Sequence, residues 1–330
     1  MNVLFIGGSM NQTTQMAAIA DALPEARSSF SPYIADGLPE RLRRCGLLER
    51  TILGTAAQRR VVDYCERTGR HMDIGGHHGG YDVVVTCSDL IVPHHLRRYP
   101  MVLVQEGMTD PERLAFRIVR RFPSLLPYLP TTSATGLSDL YTMFCVASEG
   151  YRRHFVRKGV RPEKIVVTGI PNFDNAVGYL QNSVPHRGYV LLCTSDMRET
   201  WKVENRRELL LRTRSIARGR QIIVKLHPNE NHERARREIA RIIPDAIVYT
   251  DKSAEHLIAN CSVLVTRLSS VVFIGLALGK EVHSDFPIAE LRTLLPDQHG
   301  KAAVHIAQVC RQLAQGRMVT GRRIASSAMP

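Results

Sequence analysis

Short apolar runs that break off into glycine or small polar residues recur along the first half of the chain. Residues 3–6 (VLFI) end in Gly7-Gly8-Ser9, and a helical spacing of apolar residues follows over about 13–23. Residues 81–86 are rich in β-branched side chains and end in Cys87-Ser88-Asp89. Residues 100–104 end in Gln105-Glu106-Gly107, 141–147 in Ser148-Glu149, and 165–167 in Thr168-Gly169-Ile170-Pro171. Such runs are continuous rather than alternating, as strands of a parallel sheet buried on both faces must be. Strand, glycine turn and helix in that order is how a doubly wound sheet begins.

A second series starts at 189–193, ending in Thr194-Ser195-Asp196 and followed by an amphipathic helix over about 204–217. Residues 222–225 run into Leu226-His227-Pro228. Residues 246–249 form another strand, 263–266 lead to Ser269-Ser270, and 281–283 form a last short one. The change between series falls where Pro171, Pro185 and Gly188 cluster, which fits a hinge. The expected organisation is a Rossmann-like domain over 1–172, a hinge over 173–187, and a second Rossmann-like domain over 188–330. Open parallel sheets bind ligands outside the carboxyl ends of their strands, and nearly every polar cluster named above sits at such an end. Two such sheets facing each other enclose a cleft.

Composition narrows the function only a little. With 44% apolar and 23% charged residues, the 330-residue chain has enough material for two ordinary cores. The net charge of +13 favours anionic partners without choosing among them. No zinc-finger spacing, RNA-recognition signature or aromatic-basic interleaving is present, so nucleic acid is not an expected partner. Seven scattered cysteines with no CxxC pair read as reduced, mostly buried thiols of a cytoplasmic protein. There is no signal-peptide pattern and no run of transmembrane length. Residues 111–130 interleave Leu114, Ile118 and Phe122 with Arg113, Arg117 and Arg121, which fits contact with the inner face of an anionic membrane as well as it fits a packed helix with a basic outer face.

The strand ends supply the candidate chemistry. His227, at a strand end stiffened by Pro228, can hydrogen-bond a phosphate or serve as general acid or base. Ser269 and Ser270, at a strand-to-helix turn, offer hydroxyls and amides to a diphosphate, with Arg267 adding charge. The plain structural alternative is a helix N-cap. Lys225 and Ser195 join this nucleotide-binding set from neighbouring strand ends. Glu106 follows an apolar strand and is the candidate general base; Asp89 is a second strand-end carboxylate. Gly8 and Ser9 form a loop that a ligand can approach closely. The pairs His77-His78 and His94-His95 lack the Cys or carboxylate spacing that would complete a metal site, and no D-x-D motif is present. The expected mechanism is metal-free and needs no cofactor.

The order KLHP, then TRLSSVVF, then LALGK resembles the C-terminal half of GT-B enzymes. In particular it is similar to glycerophosphotransferases and capsule-type glycosyltransferases, whose His-Pro strand end and T-D-x-S-S turn hold the donor diphosphate. It is also similar to the non-hydrolysing UDP-N-acetylglucosamine 2-epimerases, whose serine- and glycine-rich turn likewise precedes an LGK run. The stretch 146–149 with 159–174 is similar to the domain junction of both families. Val104-Gln105-Glu106-Gly107-Met108 is similar to the epimerases' H-V-E-A-G-L, which carries a catalytic carboxylate. Three positions depart from these patterns. Arg267 replaces the T-D-x-S-S aspartate, Phe273-Ile274 stands where an acidic residue binds donor hydroxyls, and Gly7-Gly8-Ser9-Met10-Asn11 replaces the epimerases' G-T-R-P-E.

The resemblance implies an α/β GT-B fold and a nucleotide-sugar substrate, with UDP the leading nucleotide. The expected function is transfer of a sugar to a hydroxyl acceptor, lipid-linked in the membrane-facing version, with Glu106 deprotonating the acceptor. The alternatives are a UDP-N-acetylglucosamine 2-epimerase-like enzyme, which needs no acceptor, and a non-catalytic GT-B scaffold that binds nucleotide or an anionic surface.

Overall fold

The computed structural model describes residues 1–49, 51–109, 134–199 and 204–317. The basic amphipathic segment expected at 111–130 lies outside the described residues. Eleven described strands form two sheets. The first comprises β1 (Asn2–Gly7), β2 (Arg27–Pro32), β3 (Val83–Thr86), β4 (Met101–Val104), β5 (Met143–Val146) and β6 (Ile165–Val167). They are ordered β2-β1-β3-β4-β5-β6, and every pairing is parallel. The second comprises β7 (Val190–Cys193), β8 (Ile222–Lys225), β9 (Ile247–Tyr249), β10 (Val263–Val265) and β11 (Glu281–His283), ordered β11-β10-β7-β8-β9 and again all parallel. In each sheet the strand order reverses once, between β1 and β3 and between β7 and β10. A crevice opens at the carboxyl edge of such a reversal.

The described helices of the first sheet's connections are α1 (Met10–Asp21), α2 (Gly37–Arg44), α3 (Thr55–Arg67) and α4 (Glu149–Lys158). Those of the second are α5 (Arg206–Ala217), α6 (His232–Ile242), α7 (Ala254–Asn260), α8 (Val272–Ala277) and α9 (Ile288–Thr293); α10 (Ala302–Ala314) follows. Local signals set their ends. Ser9 accepts from the Gln12 amide while the Gln12 side chain returns to the Ser9 amide, a capping box that starts α1. Ser148 caps α4, and Gly159, at φ 107, ends it in a left-handed turn.

The chain divides into two units, Met1–Asp174 with His299–Pro330, and Asn175–Gln298. The expected boundary placed all of 188–330 in one domain. Instead the chain returns to the first unit, because α10 buries Ile306, Ala307, Val309 and Cys310 in the same core as Val3, Phe5, Met16 and Val83. An ion pair at 2.6 Å from Arg311 to Glu25 fastens its far end.

β2 was not expected, because R-S-S-F-S-P shows neither an apolar run nor alternation. It is an edge strand whose polar side chains find partners outside the sheet. Ser29 pairs with His71 at 3.1 Å, and Ser31 accepts from the Gly75 amide at 2.8 Å. Only Phe30 contributes a large apolar group, stacked on Phe5 with centroids 5.3 Å apart.

If α10 belongs to the first core, Ile306→Ala should cost about 2–4 kcal/mol there. Hydrogen exchange should then quicken in β1 and β3 while β7 and β8 stay protected. Equal loosening of both sheets would show that α10 supports them alike.

Candidate functional site

In the first unit the carboxylate of Glu106 is held at the end of β4, half-buried. Ser9 Oγ donates to Oε1 at 3.0 Å and Gln12 Nε2 donates to Oε2 at 2.7 Å. Gln12 cannot turn round, because its Oε1 accepts from the Gly8 and Ser9 amides at 2.9 and 3.3 Å. One amide side chain thus ties the β1–α1 loop to the carboxylate. Asn11 adds a bond from its Nδ2 to the Glu106 carbonyl at 3.4 Å, and Asn172 holds Asn11 at 2.7 Å. The carboxylate lies beside the first turn of α1, where the positive end of the helix dipole favours an anion. Deeper in, Gln15 donates to the Gln105 carbonyl at 2.8 Å while its Oε1 is buried with no hydrogen-bond partner.

Gly8, expected to face a ligand, therefore supports Glu106 through Gln12, and Ser9, expected to do the same, holds it both directly and through Gln12. Gly8 is also required by space: a Cβ there would stand 2.6 Å from Tyr33 Cδ2 and 2.9 Å from Ile52 Cβ. Asp89 differs from Glu106 in being wholly buried. Its carboxylate accepts from the Gly136 amide at 3.0 Å and from the Ser138 amide and hydroxyl at 3.1 and 2.7 Å. Burial pushes its pKa up against those bonds. It anchors the 136–138 loop, and we leave it out of the reacting set.

In the second unit a buried charged cluster organises the ends of β7 and β8. Arg206 Nε pairs with Glu204 and its Nη2 with Glu230, each at 2.5 Å, and Arg198 reaches Glu230 at 3.3 Å. Thr194 Oγ1 donates to Glu230 at 2.6 Å and accepts from the His227 amide at 3.0 Å. Ser195 Oγ donates to Glu204 at 3.1 Å. Ser195 and His227 are thus placed by buried carboxylates that the sequence reading did not single out. The His227 ring accepts at Nδ1 from the Asn229 amide at 3.2 Å, which puts the proton of the neutral ring on Nε2. Burial lowers its pKa, opposed by Asp196, which favours the uncharged ring.

Lys225 behaves otherwise than expected. Its Nζ is turned onto the carbonyls of Leu226 and Thr250 at 2.7 and 3.0 Å, and burial lowers its pKa. It clamps the end of β8 to the segment after β9. Arg267 is present at the end of β10 but is paired with Asp285 at 2.6 Å, which offsets its charge. The N-cap position of α8 is Val271, not one of the serines, and Ser269 and Ser270 occupy the turn before it. Thr266 at the same strand end, beside the reversal between β7 and β10, has a buried hydroxyl with no hydrogen-bond partner among the described residues. Phe273 and Ile274 are core residues at 1% and 2% exposure, so no acidic side chain stands at that position. No described residues form a group of three or more His, Cys, Asp or Glu that could hold a metal ion, and no described helix is long and apolar enough to cross a membrane.

No family model matches the chain, and no curated protein does. Solved structures match along nearly its whole length. The UDP-GlcNAc 2-epimerase of Methanocaldococcus jannaschii, in complex with UDP-GlcNAc and UDP, has a TM-score of 0.56 at 14% identity, covering 94% of this chain and 99% of that one. The Neisseria meningitidis enzyme bound to UDP-GlcNAc has a TM-score of 0.55 at 13% identity, covering 97% and 95%. The UDP-N-acetylglucosamine 2-epimerase from Rickettsia bellii has 0.55 at 10%, covering 96% of each chain.

The fold is GT-B. At these identities the likeness is one of architecture. The expectation of a glycosyltransferase is nevertheless overturned, because the similar structures named above are those of 2-epimerases, the alternative to it. The role given to Glu106, deprotonating an acceptor hydroxyl, falls with it.

Two measurements check this geometry. In a histidine NMR titration, His227 should protonate below the ordinary value near 6.5; protonation at or above it would contradict the buried neutral ring. Gln12→Ala should strand the Gly8 and Ser9 amides and free one Glu106 oxygen, a loss of about 1–3 kcal/mol. A wild-type melting temperature would show that this tie carries no load.

Proposed function

We propose that the chain is a nucleotide-sugar epimerase that inverts the sugar carbon next to the anomeric centre of a UDP-N-acetylhexosamine. The observation that carries this is the Glu106 carboxylate, fixed at the end of β4 by Ser9 and Gln12. Inversion at carbon requires a base held still enough to take a proton from one defined position. The hydrogen on that carbon becomes acidic only as the bond to the diphosphate lengthens. The base must therefore act together with groups that take up charge on the leaving diphosphate.

In this reading the first unit carries the base and the second binds the nucleotide. His227 supplies an uncharged Nε2 donor, and Ser195 and the Ser269-Ser270 turn supply hydroxyls. Arg267 adds a charge already partly offset by Asp285. The similar epimerase structures bound to UDP-GlcNAc support the choice of substrate class. No acceptor is required. One observation favours a second reading, a nucleotide-binding scaffold without catalysis: the core positions of Phe273 and Ile274 remove a side chain that would otherwise grip the donor.

Incubation with UDP-N-acetylglucosamine in deuterated water separates the two. The epimerase should give UDP-N-acetylmannosamine and place deuterium at C2, and Glu106→Gln should abolish both while UDP still binds. Ser269→Ala/Ser270→Ala should weaken UDP by about tenfold through two lost hydrogen bonds. UDP binding without exchange would favour the scaffold. Absence of both would remove the nucleotide assignment itself.

A further inference from the structure

α5 and α6 pack side by side and leave a groove of about 520 Å³ between them. Its apolar part is made by Leu210, Leu211 and Ile242, and its walls by Arg207, Arg214 and Arg241. Arg207 and Arg241 are exposed and make no ion pair among the described residues. Arg214 reaches only the Ile242 carbonyl, at 3.5 Å. The one carboxylate in the lining, Glu238, is held through Oε1 by Arg198 at 2.9 Å, while its Oε2 is buried with no hydrogen-bond partner among the described residues.

Arg206 supplies a second, independent observation. It also lines the groove, is 4% exposed, and its Nη1 and Nη2 are both buried with no hydrogen-bond partner among the described residues, Nη2 having only an ion-pair contact with Glu230. A buried guanidinium N–H without an acceptor is costly, and the two carboxylates beside it are taken up by Nε and Nη2.

We propose that this groove is an anion site for a small phosphate ester bearing an apolar group. The excess of guanidinium groups calls for more than one negative charge. A phosphate dianion presents three oxygens to planar arginine forks, where a single carboxylate would leave charge unmatched. Leu211, 40% exposed between these arginines, gives an apolar moiety its contact. The volume suits a small molecule, whereas a protein partner needs a far larger face and a flat lipid surface cannot enter a groove. Arg206 also belongs to the cluster that positions Ser195 and His227, but Arg207, Leu211 and Arg241, on which the test rests, touch none of the nucleotide set proposed above.

The test is calorimetric titration of the full chain with phenyl phosphate and with inorganic phosphate at constant ionic strength. Phenyl phosphate should bind saturably at one site, at least tenfold more tightly than inorganic phosphate. Arg207→Ala/Arg241→Ala should lower that affinity tenfold or more with the melting temperature kept, while Ser269→Ala/Ser270→Ala should not change it. Leu211→Glu, which places a negative charge at an exposed position, should weaken binding as well and serves if the arginine variant does not fold. Three results would each overturn the assignment: no saturable binding, equal affinity for the two phosphates, or affinity indifferent to both groove variants. Binding only to phosphatidylglycerol vesicles, with none to phenyl phosphate, would also overturn it and point to a membrane surface.

Discussion

A parallel sheet delivers every strand to the same edge, and the polar groups that accumulate there must be satisfied by loops, helix ends or ligand. In the first unit this constraint is met largely by one side chain. Gln12 accepts from two amides of the β1–α1 loop and donates to Glu106, so the start of α1, the turn after β1 and the end of β4 are fixed together. The helix end that would otherwise attract a phosphate lies beside an internal carboxylate. That placement suits a unit whose proposed task is proton transfer, because a second anion close by would be repelled.

The second unit meets the same constraint with charge. The side chains of Glu204, Glu230 and Arg206 lie almost entirely out of water, with Arg198 partly exposed beside them, an arrangement that is expensive in desolvation and seldom adds stability over an apolar core. What it does is orient. Glu230 fixes Thr194, Thr194 fixes the His227 amide, and Glu204 fixes Ser195. The groups proposed to meet a diphosphate are thereby set before any ligand arrives, the condition under which hydrogen bonds assist a reaction most. Loss of one carboxylate would leave an arginine buried without its counter-charge, so each member depends on the others.

Both sheets and the order of their elements were legible because buried parallel strands write continuous apolar runs. β2 was not, since an edge strand can hide Ser29 and Ser31 against a loop that no local pattern reveals. Nor was the return of α10 to the first core, which depends on contact with a helix and strands far earlier in the chain, among them Val3, Met16 and Val83. Among strand-end residues, type and position picked out Glu106 and His227, but equally Asp89 and Lys225. The difference is which way each polar group turns: Asp89 inward onto 136–138, and Lys225 back onto two carbonyls. Gln12, Thr194, Glu204 and Glu230 escaped notice because each acts through another side chain. Only Ser9-x-x-Gln12, a capping-box spacing, offered a sequence signal.

Transferase and epimerase were hard to separate because the half of the molecule that resembles both is the half proposed to bind nucleotide. The β1–α1 loop, with Gly7-Gly8-Ser9-Met10-Asn11 in place of the basic G-T-R-P-E, is a departure from the epimerase pattern in the other half. The structure gives that loop different work. Ser9 contacts the carboxylate itself, and the Gly8 amide sets the side chain that holds its other oxygen. An arginine among these residues would compete for Glu106 and draw charge from it. Read as a support for the base rather than as a failed phosphate loop, the departure no longer weighs against proton transfer at carbon.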